Sequence, residues 1–317
     1  MSNLINTLDQ FEQCVGKALS YVRRRCEKDG KTNPGLLDQY QQVVSDLAVS
    51  TAELQCSRNY LDYASSRGDI EQKLSNCFAA ESFHNIRNRL ARHPQDYGLE
   101  MTDIDALDLR ACEGLLSASN LEALGRLIVS SNGDLGDRGL DEEKLLMADT
   151  FRQFADKVVK PLAEDIHRKD LIIPDEILDG VRELGSFGLS VPQRYGGLLP
   201  DDREDSLGMI VVTEELSRGS LGGAGSLITR PEIMARALLE GGTEEQKQYW
   251  LPRIAVGKPL CAIAITEPDF GSDVASIRLK ATPTEEGWLL NGAKAWCTFA
   301  GKSEVLLTLA RDRKSVV

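Results

Sequence analysis

The stretch best suited to chemistry is residues 261–273, where an apolar run is followed by hydroxyl, acidic and glycine residues. The run is short, which is typical of a buried strand, and it leads to the hydroxyl of Thr266. Gly271 and Ser272 follow in a loop. Glycine lets backbone N–H groups approach a ligand and form a nest for an anion, and serine adds a donor suited to a phosphate oxygen. Because most such loops are only turns, the loop alone predicts an anion site weakly.

Two acidic residues, Glu267 and Asp273, flank this loop. They could form a carboxylate pair for acid–base chemistry, but polar side chains beside a turn commonly accept backbone hydrogen bonds. We therefore expect both to fix the geometry of the loop. The three histidines and seven cysteines lack the spacing of a metal site or a disulfide framework, so we predict no metal.

The net charge of the chain bears on whether it binds nucleic acid. Lys and Arg number 37 against 49 Asp and Glu, which gives a net charge of −12. The cluster Arg23, Arg24 and Arg25 is too short to form a basic surface, and a nucleic-acid backbone needs clustered cations, so we expect no nucleic-acid partner. The first residues contain no apolar leader, and no run approaches the ~20 apolar residues that span a bilayer. The sequence therefore predicts a cytoplasmic protein without a membrane span.

Helices must supply most of the scaffold that positions the loop. Apolar residues recur at helical spacing through residues 3–133, for example at Leu4, Leu8 and Phe11. Glycine, serine and aspartate are dense at residues 130–139, which indicates a linker. We predict a helical extension, a bundle with short links, over residues 1–139.

A second helical region is predicted over residues 140–258, where Thr243 and Gln246 have the spacing of a capping box. The pattern then changes to short apolar segments. The strand candidates are residues 260–265, 277–282, 288–290 and 305–309. Segregated helices and strands predict an α+β fold that is mostly helical, in which residues 259–317 begin a β-domain.

Several stretches of the second half resemble motifs of one family, in that family's order and spacing. They are ELGSFGLSVPQRYGG at residues 183–197, EELSR at 214–218, EEQKQYWLPR at 244–253, TEPDFGSD at 266–273 and NGAKAWCT at 291–298. Residues 141–311 are thereby similar to the FAD-dependent acyl-CoA dehydrogenases. The resemblance implies that residues 140–258 form the N-terminal helical domain of that family and that the following strands begin its middle β-domain.

The resemblance implies an FAD site on the β-domain. Thr266 matches a residue that hydrogen-bonds the isoalloxazine ring, and Gly271 and Ser272 match positions at the pyrophosphate. Ser272 also matches a position near the thioester of an acyl-CoA substrate. Trp296 matches the aromatic residue packed on one face of the flavin, and Thr298 matches a donor near N5, the atom that accepts hydride.

The chemistry of these residues suits that site, because a large aromatic face stacks on a planar ring and hydrogen bonds tune its electronics. Without the resemblance, Trp296 is more simply explained as a core residue. The other positions of implied cofactor contact are Ile263, Ile265 and Cys297, the last as a small packing residue rather than a redox thiol.

Asp269 and Phe270 depart from the family, which commonly has Gly-Ala at these positions. An acidic residue and a bulky aromatic residue beside the flavin and the CoA would reshape the acyl pocket. The departure therefore bears on the identity of the substrate more than on the binding of FAD.

The implied reaction oxidises an acyl-CoA to its 2-enoyl-CoA and passes electrons to an electron-transfer flavoprotein. Family members draw their glutamate base and much of their tetramer contact from a C-terminal helical bundle. We expect this chain to be truncated before that bundle. Accordingly we assign no catalytic residue, expect the fragment to be inactive, and expect a homo-oligomer only at full length.

Three alternatives remain open. A flavin oxidase or monooxygenase on the same fold would pass electrons to O₂. A non-enzymatic, nucleic-acid-associated relative would need a basic surface, which the net charge disfavours. The chain could also be a non-catalytic helical interaction module, because a helical bundle over residues 1–139 could dock a partner or another subunit.

Overall fold

The computed structural model describes residues 2–312. The chain divides into two compact units, Met1–Gly139 and Leu140–Val317. Residues 313–317, which the predicted β-domain includes, lie outside the described part of the chain.

The first unit is built from helices. They are α1 (Ser2–Cys26), α2 (Pro34–Gln39), α3 (Gln41–Ala64), α4 (Asp69–Ala91), α5 (Met101–Asp105) and α6 (Ala118–Ser130). A short antiparallel hairpin of β1 (Glu27–Lys28) and β2 (Lys31–Thr32) interrupts them after α1. Its turn places Asp29 at φ 55° and Gly30 at φ 73°, left-handed values typical of the two central residues of a tight hairpin turn.

The core of this unit lies between the three long helices. Leu8, Phe11 and Val15 repeat at helical spacing along α1, and all are buried. The ring of Phe11 stacks on Phe83 of α4 with 4.9 Å between centroids. The spacing of apolar residues therefore predicted correctly which face of α1 is buried.

The second unit begins with a further set of helices. They are α7 (Glu142–Phe154), α8 (Lys160–Arg168), α9 (Asp175–Glu183), α10 (Ser206–Ser220), α11 (Thr229–Gly241) and α12 (Glu244–Ala255). The capping box that starts α12 is confirmed. Gln246 N–H donates to Thr243 Oγ1 at 3.3 Å, and Thr243 N–H donates to Gln246 Oε1 at 2.9 Å.

The strands of the second unit follow its helices. They are β3 (Cys261–Ala264), β4 (Lys280–Thr284), β5 (Gly287–Asn291) and β6 (Val305–Thr308). β3 pairs with β6 in parallel, with Cys261 opposite Val305, and β4 pairs with β5 in an antiparallel hairpin. The mostly helical α+β fold expected from the sequence is thus confirmed.

One strand begins later than predicted. Residues 277–279 are not part of β4, although Ile277 and Leu279 are buried. The backbone N–H groups of Arg278 and Leu279 donate to the carboxylate of Glu267 instead of to a neighbouring strand. Their donors are therefore occupied, and the ladder starts at Lys280.

No helix within residues 2–312 is both long enough and apolar enough to cross a membrane.

Candidate functional site

The first loop of the candidate site follows β3. Ile263 lies on this strand and packs against a buried cluster that includes Val191 and Leu251. Ile265 and Thr266 continue the chain at the exit of the strand, where both are half-buried. The loop then reverses direction, because Glu267 and Phe270 exchange backbone hydrogen bonds of 2.9 and 3.1 Å. The reversal leaves Gly271 and Ser272 exposed at the rim.

The second loop follows β5 and lies directly against the first. Ala295 N–H donates to the carbonyl oxygen of Thr266 at 2.9 Å. The next residue, Trp296, has φ 57°, a left-handed conformation that is rare for a bulky side chain. Its side chain is 88% exposed. Backbone strain of this kind clusters at functional sites, so the conformation of Trp296 supports a binding role for this loop.

A buried ion pair joins the two loops. Lys294 Nζ lies 3.0 Å from Glu267 Oε1, and the two side chains are only 7% and 5% exposed. Lys294 Nζ also donates to the carbonyl oxygen of Ile265 at 2.7 Å. The Glu267 carboxylate accepts the N–H groups of Arg278 at 2.6 Å and Leu279 at 2.8 Å. Both the ammonium group of Lys294 and the carboxylate of Glu267 therefore have hydrogen-bond partners, which a buried charge requires.

The electrostatics of Glu267 follow from these contacts. Burial acts to raise the pKa of Glu267, but hydrogen bonds from two backbone N–H groups and from Lys294 favour the ionised form and lower the pKa to about 2. The expectation that Glu267 fixes the loop through backbone hydrogen bonds is confirmed. Glu267 is thus a structural anchor rather than a proton-transfer group.

Gly292 allows the second loop to pass close to residues 278–279. Its φ is 149°, and a Cβ atom added there would lie 2.7 Å from Leu279 Cα. Such a distance is a clash with backbone that cannot move aside easily. Only glycine therefore lets the second loop pass this close to residues 278–279.

The structure brings the predicted site residues into two groups. Thr266 and the segment Trp296–Thr298 are joined through the Ala295 hydrogen bond, whereas Gly271 and Ser272 lie on the outer rim of the first loop. The half-buried thiol of Cys297 has its Sγ 3.8 Å from the Ala295 carbonyl oxygen. Lys294 was not among the predicted site residues, although a lysine two residues after the Asn291-Gly292 pair was a visible signal.

The donor set suits a planar, phosphate-bearing cofactor. Within residues 2–312, the hydroxyls of Thr266, Ser272 and Thr298 form no hydrogen bond. The exposed indole of Trp296 offers an aromatic face on the loop that carries Thr298. A Cβ atom added to Gly271 would meet nothing within 4 Å, so the rim is open to a ligand. Unused hydroxyl donors beside an exposed aromatic face fit a flavin and its diphosphate.

An open groove of about 570 Å³ runs beside the first loop. Its lining includes Phe270 and three cationic residues, Arg278, Lys280 and Arg311. Arg278 lies 4.0 Å from the carboxylate of Asp269, and Arg311 donates to the carbonyl oxygen of Ile277 at 3.0 Å. Cations at this rim suit the phosphates of a nucleotide-like ligand. No group of three or more His, Cys, Asp or Glu residues that could hold a metal occurs in the described part of the chain.

Comparison with known families matches nearly all of the second unit. Residues 141–258 match the N-terminal domain of acyl-CoA dehydrogenases, and residues 262–316 match the middle domain. The solved structure of butyryl-CoA dehydrogenase from Megasphaera elsdenii is similar, with a TM-score of 0.50 and 27% identity over 55% of this chain and 45% of that chain.

Two characterised relatives differ in how much of this chain they match. (2S)-Methylsuccinyl-CoA dehydrogenase from Cereibacter sphaeroides is 34% identical over 96% of this chain and 58% of its own length. Mitochondrial isovaleryl-CoA dehydrogenase from Solanum tuberosum is 34% identical over 54% of this chain and 41% of its own length. The chain therefore spans little more than half of the first relative and less than half of the second, and the similarity to the first includes the N-terminal helical unit.

Proposed function

Because the chain belongs to the acyl-CoA dehydrogenase family, we propose that the whole protein oxidises an acyl-CoA thioester to the corresponding 2-enoyl-CoA. The cofactor of this family is FAD, which when bound supplies the two-electron acceptor for the oxidation. The observation that carries the proposal is the Ala295–Thr266 hydrogen bond, which joins the Thr266 loop to the loop of Trp296 and Thr298.

In this proposal, each residue of the site has a separate task. The hydroxyls of Thr266 and Thr298 donate to the polar edge of the flavin, and Trp296 packs on its face. Gly271 and Ser272 bind the diphosphate, and Ser272 also contacts the thioester end of the substrate. Ile263, Ile265 and Cys297 shield the ring from water. The Lys294–Glu267 pair holds both loops in register.

Removal of the α-proton needs a base, and we assign no residue of this chain to that task. We propose that the 317-residue chain binds FAD but does not turn over by itself. The shorter span of the chain relative to its relatives supports this, because those proteins contain further residues. An electron-transfer flavoprotein is the proposed electron acceptor, and a homo-oligomer is the proposed state of the whole protein.

The cytoplasm is the proposed compartment. The seven cysteines are all free thiols, which is the usual state in a reducing environment. As a first substrate class we propose thioesters of dicarboxylic acids. The support is that the relative matching 96% of this chain is named for (2S)-methylsuccinyl-CoA.

The test begins with the cofactor. The 317-residue chain is purified, incubated with FAD and freed of excess ligand, and the flavin absorbance that remains is compared with that of a Thr266→Val, Thr298→Val double variant. We expect the wild type to stay yellow and the variant to retain less flavin. A wild-type chain that emerges colourless would refute the proposal.

The second step uses the whole protein. We expect acyl-CoA to bleach the flavin absorbance and the enoyl product to accumulate when an electron-transfer flavoprotein is supplied. Rapid consumption of O₂ without that acceptor would favour the oxidase alternative. FAD binding with no response to any thioester would favour the non-catalytic interaction module.

A further inference from the structure

Arg230, the second residue of α11, differs from the other arginines around it. Its guanidinium is half-buried, and Nη1 donates to the carbonyl oxygen of Ser226. Its Cζ atom lies 5.9 Å from the centroid of the Phe299 ring. Within residues 2–312 it forms no ion pair with a carboxylate. Burial lowers the pKa of Arg230, because its charge is partly removed from water without a compensating anion.

Other arginines of the second unit show the usual arrangement. Arg236 on the same helix contacts Glu232 at 3.1 Å and Glu204 at 3.6 Å. Arg152 of α7 pairs with buried Glu215 at 2.8 Å. A guanidinium that is partly desolvated costs free energy unless an anion approaches it. Arg230 therefore has the properties of a receptor whose anion is not part of the described chain.

The location of Arg230 relates it to the candidate site. Phe299, which its guanidinium faces, follows Thr298 directly and packs against the core of the second unit. Oxidation between the α and β carbons requires those carbons to lie at the flavin, near Thr298. Under the proposed function, a group attached beyond the β carbon lies near this loop, and Arg230 faces the loop through the Phe299 ring at 5.9 Å.

We infer that Arg230 binds the free carboxylate of a dicarboxylic acyl-CoA and selects such thioesters over monocarboxylic ones. The inference rests on the proposed acyl-CoA function and adds the residue that recognises the substrate. The planar fork of a guanidinium matches the two oxygens of a carboxylate, which a neutral alkyl terminus cannot replace.

The experiment compares two thioesters of nearly the same shape. Methylsuccinyl-CoA and 2-methylbutanoyl-CoA differ only by a carboxylate in place of a methyl group. Their binding to the FAD-loaded chain is measured by calorimetry for the wild type, Arg230→Met, Arg230→Lys and the control Arg236→Met. The wild type is expected to prefer methylsuccinyl-CoA.

Arg230→Met should weaken the binding of methylsuccinyl-CoA roughly ten- to hundredfold, the range for a lost hydrogen bond to a charged group. The affinity for 2-methylbutanoyl-CoA should change by no more than about twofold. The affinity of Arg230→Lys for methylsuccinyl-CoA should lie between those of the wild type and Arg230→Met, because lysine keeps the charge but lacks the planar guanidinium. Arg236→Met should change neither affinity. Circular dichroism verifies the fold, and if Arg230→Met is misfolded the ratio for Arg230→Lys decides.

Two results would overturn the inference alone. One is a wild type that binds both thioesters with equal affinity. The other is an equal loss of affinity for both thioesters in the Arg230 variants, which would mean that Arg230 has a structural role. A wild type that holds FAD and binds neither thioester would also overturn the inference. Failure of the whole protein to respond to any acyl-CoA would instead overturn the proposed function, and the inference with it.

Discussion

The helical bundle of the first unit and the β-hairpin of the second unit use large apolar residues in opposite ways. Phe11 and Phe83 are fully buried between α1 and α4. In the hairpin, Trp288 and Leu289 are 60% and 59% exposed, and Trp296 beyond it is 88% exposed. A two-stranded hairpin is not stable in water by itself, and clustered exposed apolar side chains mark a contact surface. Stability and binding are therefore assigned to different regions of the chain.

The largest effect should follow from a cavity in the bundle. Phe83→Ala removes a ring that is stacked on Phe11 and fully buried, so we expect a loss of about 3–5 kcal/mol in the free energy of unfolding. Denaturant unfolding followed by circular dichroism measures it. Trp288→Ala is the matched control, and an equal loss there would contradict the assignment of stability to the bundle.

A smaller loss is expected when the Lys294–Glu267 pair is broken. Glu267→Gln keeps the shape of the side chain but leaves Lys294 buried without a counter-charge. At pH 7 the variant should be less stable than the wild type and should bind FAD more weakly, because both loops lose their common anchor.

The stability contributed by the Glu267 carboxylate should decrease at low pH. The pKa of Glu267 is lowered to about 2 in the folded chain, so its stabilising effect is present above the ordinary glutamate pKa of roughly 4.3 and is lost as pH falls towards 2. The stability difference between wild type and variant should therefore shrink over that window. A difference that stays constant down to pH 2 would contradict the role of the charge.

Gly292→Ala should cost about 1–3 kcal/mol, since the residue has φ 149° and its added Cβ would meet Leu279 Cα at 2.7 Å. Gly271→Ala is the control from the other loop, where a Cβ meets nothing within 4 Å and the change should stay within about 0.5 kcal/mol. Thermal unfolding of both variants makes the comparison. Equal melting temperatures would mean that the second loop shifts to accept the methyl group.

The smallest effect on stability is expected at Trp296. Trp296→Leu should leave the free energy of unfolding within about 0.5 kcal/mol, because the side chain is 88% exposed. FAD binding should weaken by about 0.5–1.5 kcal/mol, the contribution of one aromatic stack. A fluorescence titration with FAD measures this. Trp288→Leu serves as the control, and a similar loss of affinity there would mean that exposure alone, not the position of Trp296, governs binding.

The local parts of the structure could be predicted from the sequence. Apolar spacing identified the buried face of α1, and the Thr243–Gln246 pair identified the start of α12. Both depend on neighbours within one or two turns of helix. The motifs at residues 266–273 and 291–298 likewise located the two segments that the structure joins at Thr266 and Ala295.

What could not be predicted depends on partners distant in the sequence. Glu267 takes the N–H groups of Arg278 and Leu279, and this delayed the start of β4 relative to the predicted strand. Lys294 pairs with Glu267 across the whole hairpin. The lack of an acidic partner for Arg230 within the described residues emerges only from the folded arrangement. No periodicity in the sequence encodes such contacts.

The parallel pairing of β3 with β6 has a kinetic consequence. Thr266, Ser272, Trp296 and Thr298 all lie in the segment between these two strands, whose ends meet at Cys261 and Val305. The segment must lose its chain entropy before the strands gain their hydrogen bonds, and such non-local closures are slow. We therefore expect the surface formed by these two loops to be completed late in folding, when β3 and β6 pair.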